Sequence, residues 1–239
     1  MKMSFQDVIS YANDNLKHYD GSHDIWHAKK VAINVCHVCD NEKNLSIIAA
    51  CLHDTCDPKY VNKSKAIPKL ESFLLNILEK EEVDDILNAI ENVSFSKLKI
   101  NGVPSFKTNR SKIIWRNVSD SDMLEALGII GIIRTLMYQG YKEHNIDEAF
   151  SYITTLYKCN DYIELKSAKK EGTIRKKYMM KYMKMLQKSD NLMEISTNIM
   201  NEGALKTSFD DVLKKYTKYL SKYKWIINEL KRELKFGFM

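Results

Sequence analysis

The sequence predicts an all-α fold. Three observations carry that expectation: apolar residues recur at helical spacing along most of the 239 residues, alternating strand patterns are almost absent, and all three prolines lie before residue 105. No internal repeat or low-complexity linker interrupts the pattern. At 44% hydrophobic and 28% charged residues, the chain has material for one domain, or one domain with a helical extension.

Taken in order, Ser4-Phe5-Gln6-Asp7 reads as a capping box, and Phe5, Val8, Ile9, Ala12 and Leu16 follow at helical spacing. A polar turn over 18–22 leads to a second helix from about Asp24 to Asp40, with Ala28, Val31, Ala32, Val35 and Val38 on its inner face. His27 sits one turn before Val31, on the border of that stripe. Next comes an unbroken apolar run, Ile47 to Leu52, that ends in His53-Asp54. A short helix that is apolar all round is a buried one, so this imidazole and carboxylate lie inside the protein. Unpaired there, each would cost several kcal/mol or shift its pKa to become neutral. Three partners are available: each other, a distant basic residue, or a metal ion.

A polar loop bounded by Pro58 and Pro68 follows. Leu70, Phe73, Leu74, Ile77 and Leu78 then mark a fourth helix, and Val83, Ile86, Leu87, Ile90 and Val93 a fifth. Between Ser94 and Asn109 the pattern is lost, and Gly102-Val103-Pro104 marks an irregular loop able to close over a site. Periodicity returns from Ser111 to Leu136, with Asp120 and Asp122 embedded in an apolar stretch where carboxylates need partners. Long helices are expected near 146–158, 173–202 and 208–235.

No apolar run approaches the ~18 residues of a membrane span, and the N-terminus lacks a signal-peptide apolar region. An odd number of cysteines, five, argues against a disulfide framework and for reduced thiols, so the expected location is the cytoplasm. Cys36-His37-Val38-Cys39 lies within a helical pattern without a second CxxC and reads as packing; His18 and His144 read as solvent-facing. The net charge of +6 is carried by lysine, which points toward anionic partners. Lys166 to Lys188 holds nine basic residues and one acidic one. Its apolar stripe of Ile174, Tyr178, Met179, Tyr182, Met183 and Leu186 favours a solvated amphipathic face, with a nucleic-acid surface or a homo-oligomer interface as alternatives.

His27 in HDIWHAKKV, His53-Asp54 in LHDTCDPKY, Ile90 to Ser96 (IENVSFS) and Asp122 in SDSDMLEALGIIGIIRT resemble, in order and local context, the HD-domain metal-dependent phosphohydrolases. The match is most like the subgroup that includes bacterial nucleotide pyrophosphohydrolases and covers roughly residues 5–140. It implies an HD-domain helical bundle over residues 1–160, with additional C-terminal helices over 161–239 packed on it. It also implies that His27, His53, Asp54 and Asp122 are the metal ligands, with Asp120 a cap or supporting acceptor. Two imidazoles and two carboxylates suit Mn, Fe, Co, Ni or Zn better than Mg, and Mn is favoured. Lys30 and Met123 stand where the family has arginines, and Val93 where many relatives have a histidine, which leaves a single metal as the expectation.

The activity so implied is hydrolysis of a small phosphorylated substrate, a nucleotide, by a water that the ion activates. A nucleoside triphosphate giving monophosphate plus pyrophosphate is the specific form; a phosphomonoesterase or phosphodiesterase using the same site is the alternative. A nucleic-acid or protein-binding module with a structural metal site is the alternative of another class. Asp54 is expected to ligate and to orient the water. Lys59 is expected to act in catalysis by meeting substrate phosphate, and His23, Lys30 and Arg134 are further candidates for phosphate contact.

Overall fold

The computed structural model describes residues 4–39 and 41–236. Among them are fourteen helical segments and no strand, so the all-α expectation holds. No helix among the described residues is long and apolar enough to cross a membrane.

The first helix, α1 (Phe5–Leu16), starts at the capping box of Ser4 and Asp7. In α2 (Ile25–Val38), Asp24 is the cap rather than the first residue, accepting from the backbone N–H of Trp26 and His27; Asp40, the end expected for this helix, lies outside the described residues. α3 (Lys43–Leu52) is the short apolar helix, with Ala49, Ala50, Cys51 and Leu52 at 0% exposure. It packs against α2, α5 (Lys80–Ile90) and α7 (Asn109–Glu125).

Four expectations are corrected. Pro68 does not bound the loop but sits inside α4 (Lys63–Leu74), on an exposed face where water can satisfy the carbonyl left without an N–H partner. Ser94 to Asn109 is not wholly irregular: Ser94 caps a two-turn helix, α6 (Phe95–Asn101), which buries only Leu98 and so shows no apolar spacing. The pattern from Ser111 to Leu136 is divided between α7 and α8 (Gly128–Tyr141), at Gly128 with φ +82°. Glu233 fills the space beside that glycine and accepts from the N–H groups of Ile129 and Ile130 at 2.8 and 2.9 Å.

The fourth correction concerns the C-terminal half. α9 (Ile146–Leu156) and the single turn α10 (Cys159–Tyr162) are followed by four helices instead of two long ones: α11 (Lys166–Leu186), α12 (Asp190–Ala204), α13 (Phe209–Leu220) and α14 (Lys224–Lys235). The chain stops and restarts at Ser189, whose hydroxyl accepts from Leu192 N–H, and at 221–223, without glycine or proline at either break. α11 begins seven residues earlier than its apolar stripe suggests because its entry is held from a distance: Asp120 on α7 accepts from the N–H groups of Glu164 and Leu165. Asp120 is thus a cap, as expected.

α8 buries every residue except Tyr138 and Tyr141 and is the axis on which α11, α12 and α14 pack. α8 and α12 cross closely near their C-terminal ends. A Cβ on Gly140 would lie 1.8 Å from the carbonyl oxygen of Met200, and one on Gly203 would lie 2.0 Å from that of Met137.

Gly140→Ala and Gly203→Ala should each lower unfolding free energy by about 1–3 kcal/mol, read by urea denaturation, because backbone rather than a flexible side chain must move. Unchanged stability in both would mean that the helices do not cross so closely. Asp120 gives a pH-dependent prediction. Burial raises its carboxyl from 3.8 to about 7, against the opposing pull of the Leu165 and Glu164 N–H groups. Its contribution is complete below the unfolded pKa and is lost as pH rises through 7. Asp120→Asn, which keeps an acceptor, should flatten the stability profile between pH 4 and 7.

Candidate metal centre

His53 is the residue immediately after α3, and Asp54 follows it out of the helix, so both side chains reach one space beside the helix end. His53 Nδ1 lies 2.8 Å from the carbonyl oxygen of Ala50, which can only accept. Nδ1 therefore carries the proton in the neutral ring, and Nε2 is left as a lone pair. His27, in the first turn of α2, and Asp122, on α7, arrive from two other directions.

The four side chains converge. His53 Nε2 and Asp54 Oδ2 are 3.3 Å apart, His27 Nε2 and Asp122 Oδ1 3.3 Å, and His27 Nε2 and Asp54 Oδ2 3.6 Å. His27, His53 and Asp54 each offer a ligand atom within 4.8 Å of the others, a cluster that could hold a metal ion. Both imidazoles are buried, and His53 Nε2 and Asp54 Oδ2 are buried atoms without a hydrogen-bond partner. A ring lone pair and a carboxylate oxygen thus face each other 3.3 Å apart, each without a hydrogen-bond partner. The donor set and the unmet atoms fit a divalent ion.

Three of the four protonation preferences suit a ligand set. Burial pushes the His27 imidazole down to about 4, Arg134 adding to the effect. For Asp122 and Asp54, burial is outweighed by the neighbouring imidazoles, and both carboxyls stay below the usual range. His53 moves the other way: burial lowers it, but Asp54 and Asp122 outweigh that and raise it.

The cluster lies in a cleft of about 1020 Å³, which His23, Lys59 and Arg134 also line. The Lys59 ammonium sits 3.4 Å from Asp57 and 5.9 Å from the ring centre of Tyr138, with its side chain half-exposed. Arg134 is buried beneath the floor: Nε donates to the carbonyl oxygen of Ser22 and Nη1 to that of Glu125. Lys30 is brought elsewhere. It is buried, and Nζ donates to the carbonyl oxygens of Leu234 and Phe236 at the end of α14. His18 and His144 are exposed, the latter at the cleft rim against Gln139. None of the five cysteines is joined in a disulfide.

Sequence reasoning missed two groups around this site. One is Asp20 and Tyr60, which both contact His23. The other is a buried ionic chain: Arg175, at 0% exposure, bonds Glu125 and Glu171, and Arg232 bonds Glu171 and Glu229. The signal for the second was present. Ala168, Glu171, Arg175, Met179, Tyr182 and Leu186 fall at intervals of three and four, so Glu171 and Arg175 sit in the buried stripe of α11.

No family model matches the chain. An uncharacterized protein of Bacillus subtilis strain 168, YpgQ, is 26% identical over 197 residues, spanning 77% of this chain and 92% of the relative. The crystal structure of YpgQ in complex with ADP superposes with a TM-score of 0.63 at 22% identity, over 77% of this chain and 97% of that one. A protein of Lactobacillus plantarum gives 0.64 at 25% identity, over 79% and 98%. An HD-superfamily hydrolase of Bacillus thuringiensis gives 0.59 at 25% identity, over 77% and 94%. The shared part exceeds the first 160 residues in length, so it takes in C-terminal helices, and the all-α fold is that of the HD-domain superfamily.

Proposed function

We propose that this chain is a metal-dependent phosphohydrolase acting on a nucleotide, with His27, His53, Asp54 and Asp122 holding one divalent transition ion, Mn favoured. The observation that carries the reading is the facing pair of unsatisfied buried atoms, His53 Nε2 and Asp54 Oδ2, at the floor of an open cleft. Two further findings support it: the HD-superfamily hydrolase shares the fold, and YpgQ was crystallised with ADP.

Such an ion, when bound, lowers the pKa of a water and offsets charge on phosphoryl oxygens. The protein does the rest. Asp54 orients the attacking water with the carboxylate oxygen left free of protein donors. Lys59, held near Asp57 and free to swing, meets substrate phosphate at the cleft mouth. Arg134 keeps a positive charge under the floor, next to Asp122, and His23 faces the phosphate path. Lys30 supports α14 and leaves the substrate to others. The bond assigned is that between the α- and β-phosphates of a nucleoside triphosphate, giving monophosphate and pyrophosphate. The same site acting as a phosphomonoesterase or phosphodiesterase is the second form of the reading.

Product analysis of a panel of ribo- and deoxynucleotides, tri- to monophosphates, with Mn²⁺ is the test. Monophosphate plus pyrophosphate, absent with Asp54→Ala, is the expected result; nucleoside plus phosphate would move the protein to the phosphomonoesterases, and no turnover with any metal would sink the nucleotide reading. Metal binding is checked apart from activity. Bound Mn²⁺, counted by elemental analysis after gel filtration, should be near one per chain and fall at least tenfold in His53→Ala and Asp54→Ala, and ion retention in both variants would remove these ligands. Lys59→Ala should raise KM by about tenfold, the loss of one charge-assisted contact of about 1.5 kcal/mol, with kcat little changed.

A further inference from the structure

α11 and α14 sort their charges by side. Every acid on them faces inward: Glu171, Glu229 and Glu233 are 5%, 3% and 0% exposed, taken up by Arg175, Arg232 and the N–H groups at the start of α8. Every exposed charge on them is a lysine. On α11, Lys166, Lys170, Lys177, Lys181 and Lys184 follow one another at intervals of three, four or seven residues. They fall within a sector of about 60° and form a row about 27 Å long. Lys224, Lys231 and Lys235 form a shorter row on α14. None of these lysines has an ion-pair partner among the described residues, and none lines the cleft of the candidate centre. Together they outnumber the chain's net charge of +6, so its positive surplus is concentrated here.

The two rows share one side of the protein. Arg232 reaches Glu171, whereas Trp225, seven residues earlier, meets Tyr178 and Lys181, so α14 runs antiparallel to α11. Residues that meet across this seam directly follow a row lysine: Glu171, Tyr178 and Met185 on α11 follow Lys170, Lys177 and Lys184, and Trp225 and Arg232 on α14 follow Lys224 and Lys231. The seam is therefore turned by about 100° in the same sense from both rows, and in an antiparallel pair that places both rows on one side of it. Trp225 is already covered: its ring stacks on Tyr178 with centres 6.1 Å apart, Lys181 Nζ lies 4.2 Å from its centre, and its Nε1 donates to Met185 Sδ. Met180 is the one exposed large apolar side chain on the two helices.

We propose that the lysine rows of α11 and α14 form a nucleic-acid-binding face, separate from the cleft, that holds the phosphate backbone of a duplex. Phosphates repeat every ~3.4 Å along each strand of a duplex, so the α11 row spans about eight of them. Lysines without ion-pair partners can each take a phosphate oxygen and release a counterion. A single strand is held by stacking its bases on open aromatic faces, and Tyr178 and Trp225 are spent on each other and on Lys181. An anionic membrane would meet the same charge, but a helical face lying on a bilayer is anchored by apolar side chains that enter it, and this face offers Met180 alone.

The test is fluorescence anisotropy of a labelled 20-base-pair DNA duplex titrated with the full-length protein in EDTA, which keeps any metal chemistry of the cleft out of the measurement. Binding should be seen at 50 mM KCl, with log K falling against log salt at a slope of about −5, equivalent to five or six phosphate contacts. Changing Lys177→Gln, Lys181→Gln and Lys184→Gln together should weaken binding at least tenfold and make the slope shallower by about 3. The same three positions changed to arginine should keep both affinity and slope, which separates lost charge from damaged packing. No binding at 50 mM KCl overturns the proposal, as does an unchanged affinity and slope in the glutamine variant. Displacement of the duplex by excess ADP would place the binding in the cleft and overturn it too. Sedimentation with vesicles containing phosphatidylserine, lost in the glutamine variant while the duplex goes unbound, would make this a membrane face instead. Hydrolysis of nucleotides is not read in any of these arms, so the face and the cleft stand or fall separately.

Discussion

The arrangement on which the rest depends is the crowding of two imidazoles and two carboxylates into one buried space. Taken from water without a cation, ionised groups of this kind cost several kcal/mol each. The fold keeps them there with backbone. Three segments that carry the candidate ligands, the first turn of α2, the end of α3 and the last turn of α7, pack against one another over an apolar interior that includes Val31, Ala49 and Val118. A bound cation would supply the charge that the protein withholds.

A second buried ionic system stands behind the first. Glu125 lies one turn after Asp122 on α7, and its carboxylate takes Asn34 from α2 and Arg175 from α11. Arg175 also donates to the Leu124 carbonyl oxygen, and Glu171 passes the connection to Arg232 on α14. Such chains add little net stability over apolar packing, yet removing one member strands a charge inside. Their effect here is on register: α11 meets α7, and α14 meets α11, where these partners pair. Lys30 adds a tie from α2 to the end of α14, so the C-terminal helices form the rear wall of the centre.

How much of this was legible depended on distance along the chain. The buried α3 and the His53-Asp54 at its end were readable because an unbroken apolar run is a local signal, and the amphipathic α1, α2 and α5 likewise. α6 was not, since two turns burying one leucine leave no period to detect. The breaks within the C-terminal half escaped because Ser189 and Ser221 punctuate without glycine or proline, and the start of α11 escaped because its cap is forty-odd positions away on Asp120. Asp20 and Tyr60, forty residues apart, were invisible as a pair for the same reason. Lys30 illustrates a subtler limit: a lysine one turn from His27 looks like a phosphate contact by position, yet the helix turns it to the other side.

Asp24 does two jobs with one carboxylate. Oδ1 caps α2, the helix that carries His27, while Oδ2 accepts from Phe209 N–H at the start of α13. An N-terminal element is thereby tied to one made some 185 residues later. On a ribosome the chain emerges in order, at about 5–20 residues per second, so α2 exists for many seconds before its distal partner does. The cap that starts the His27 helix is therefore completed on its second oxygen only when α13 has been made.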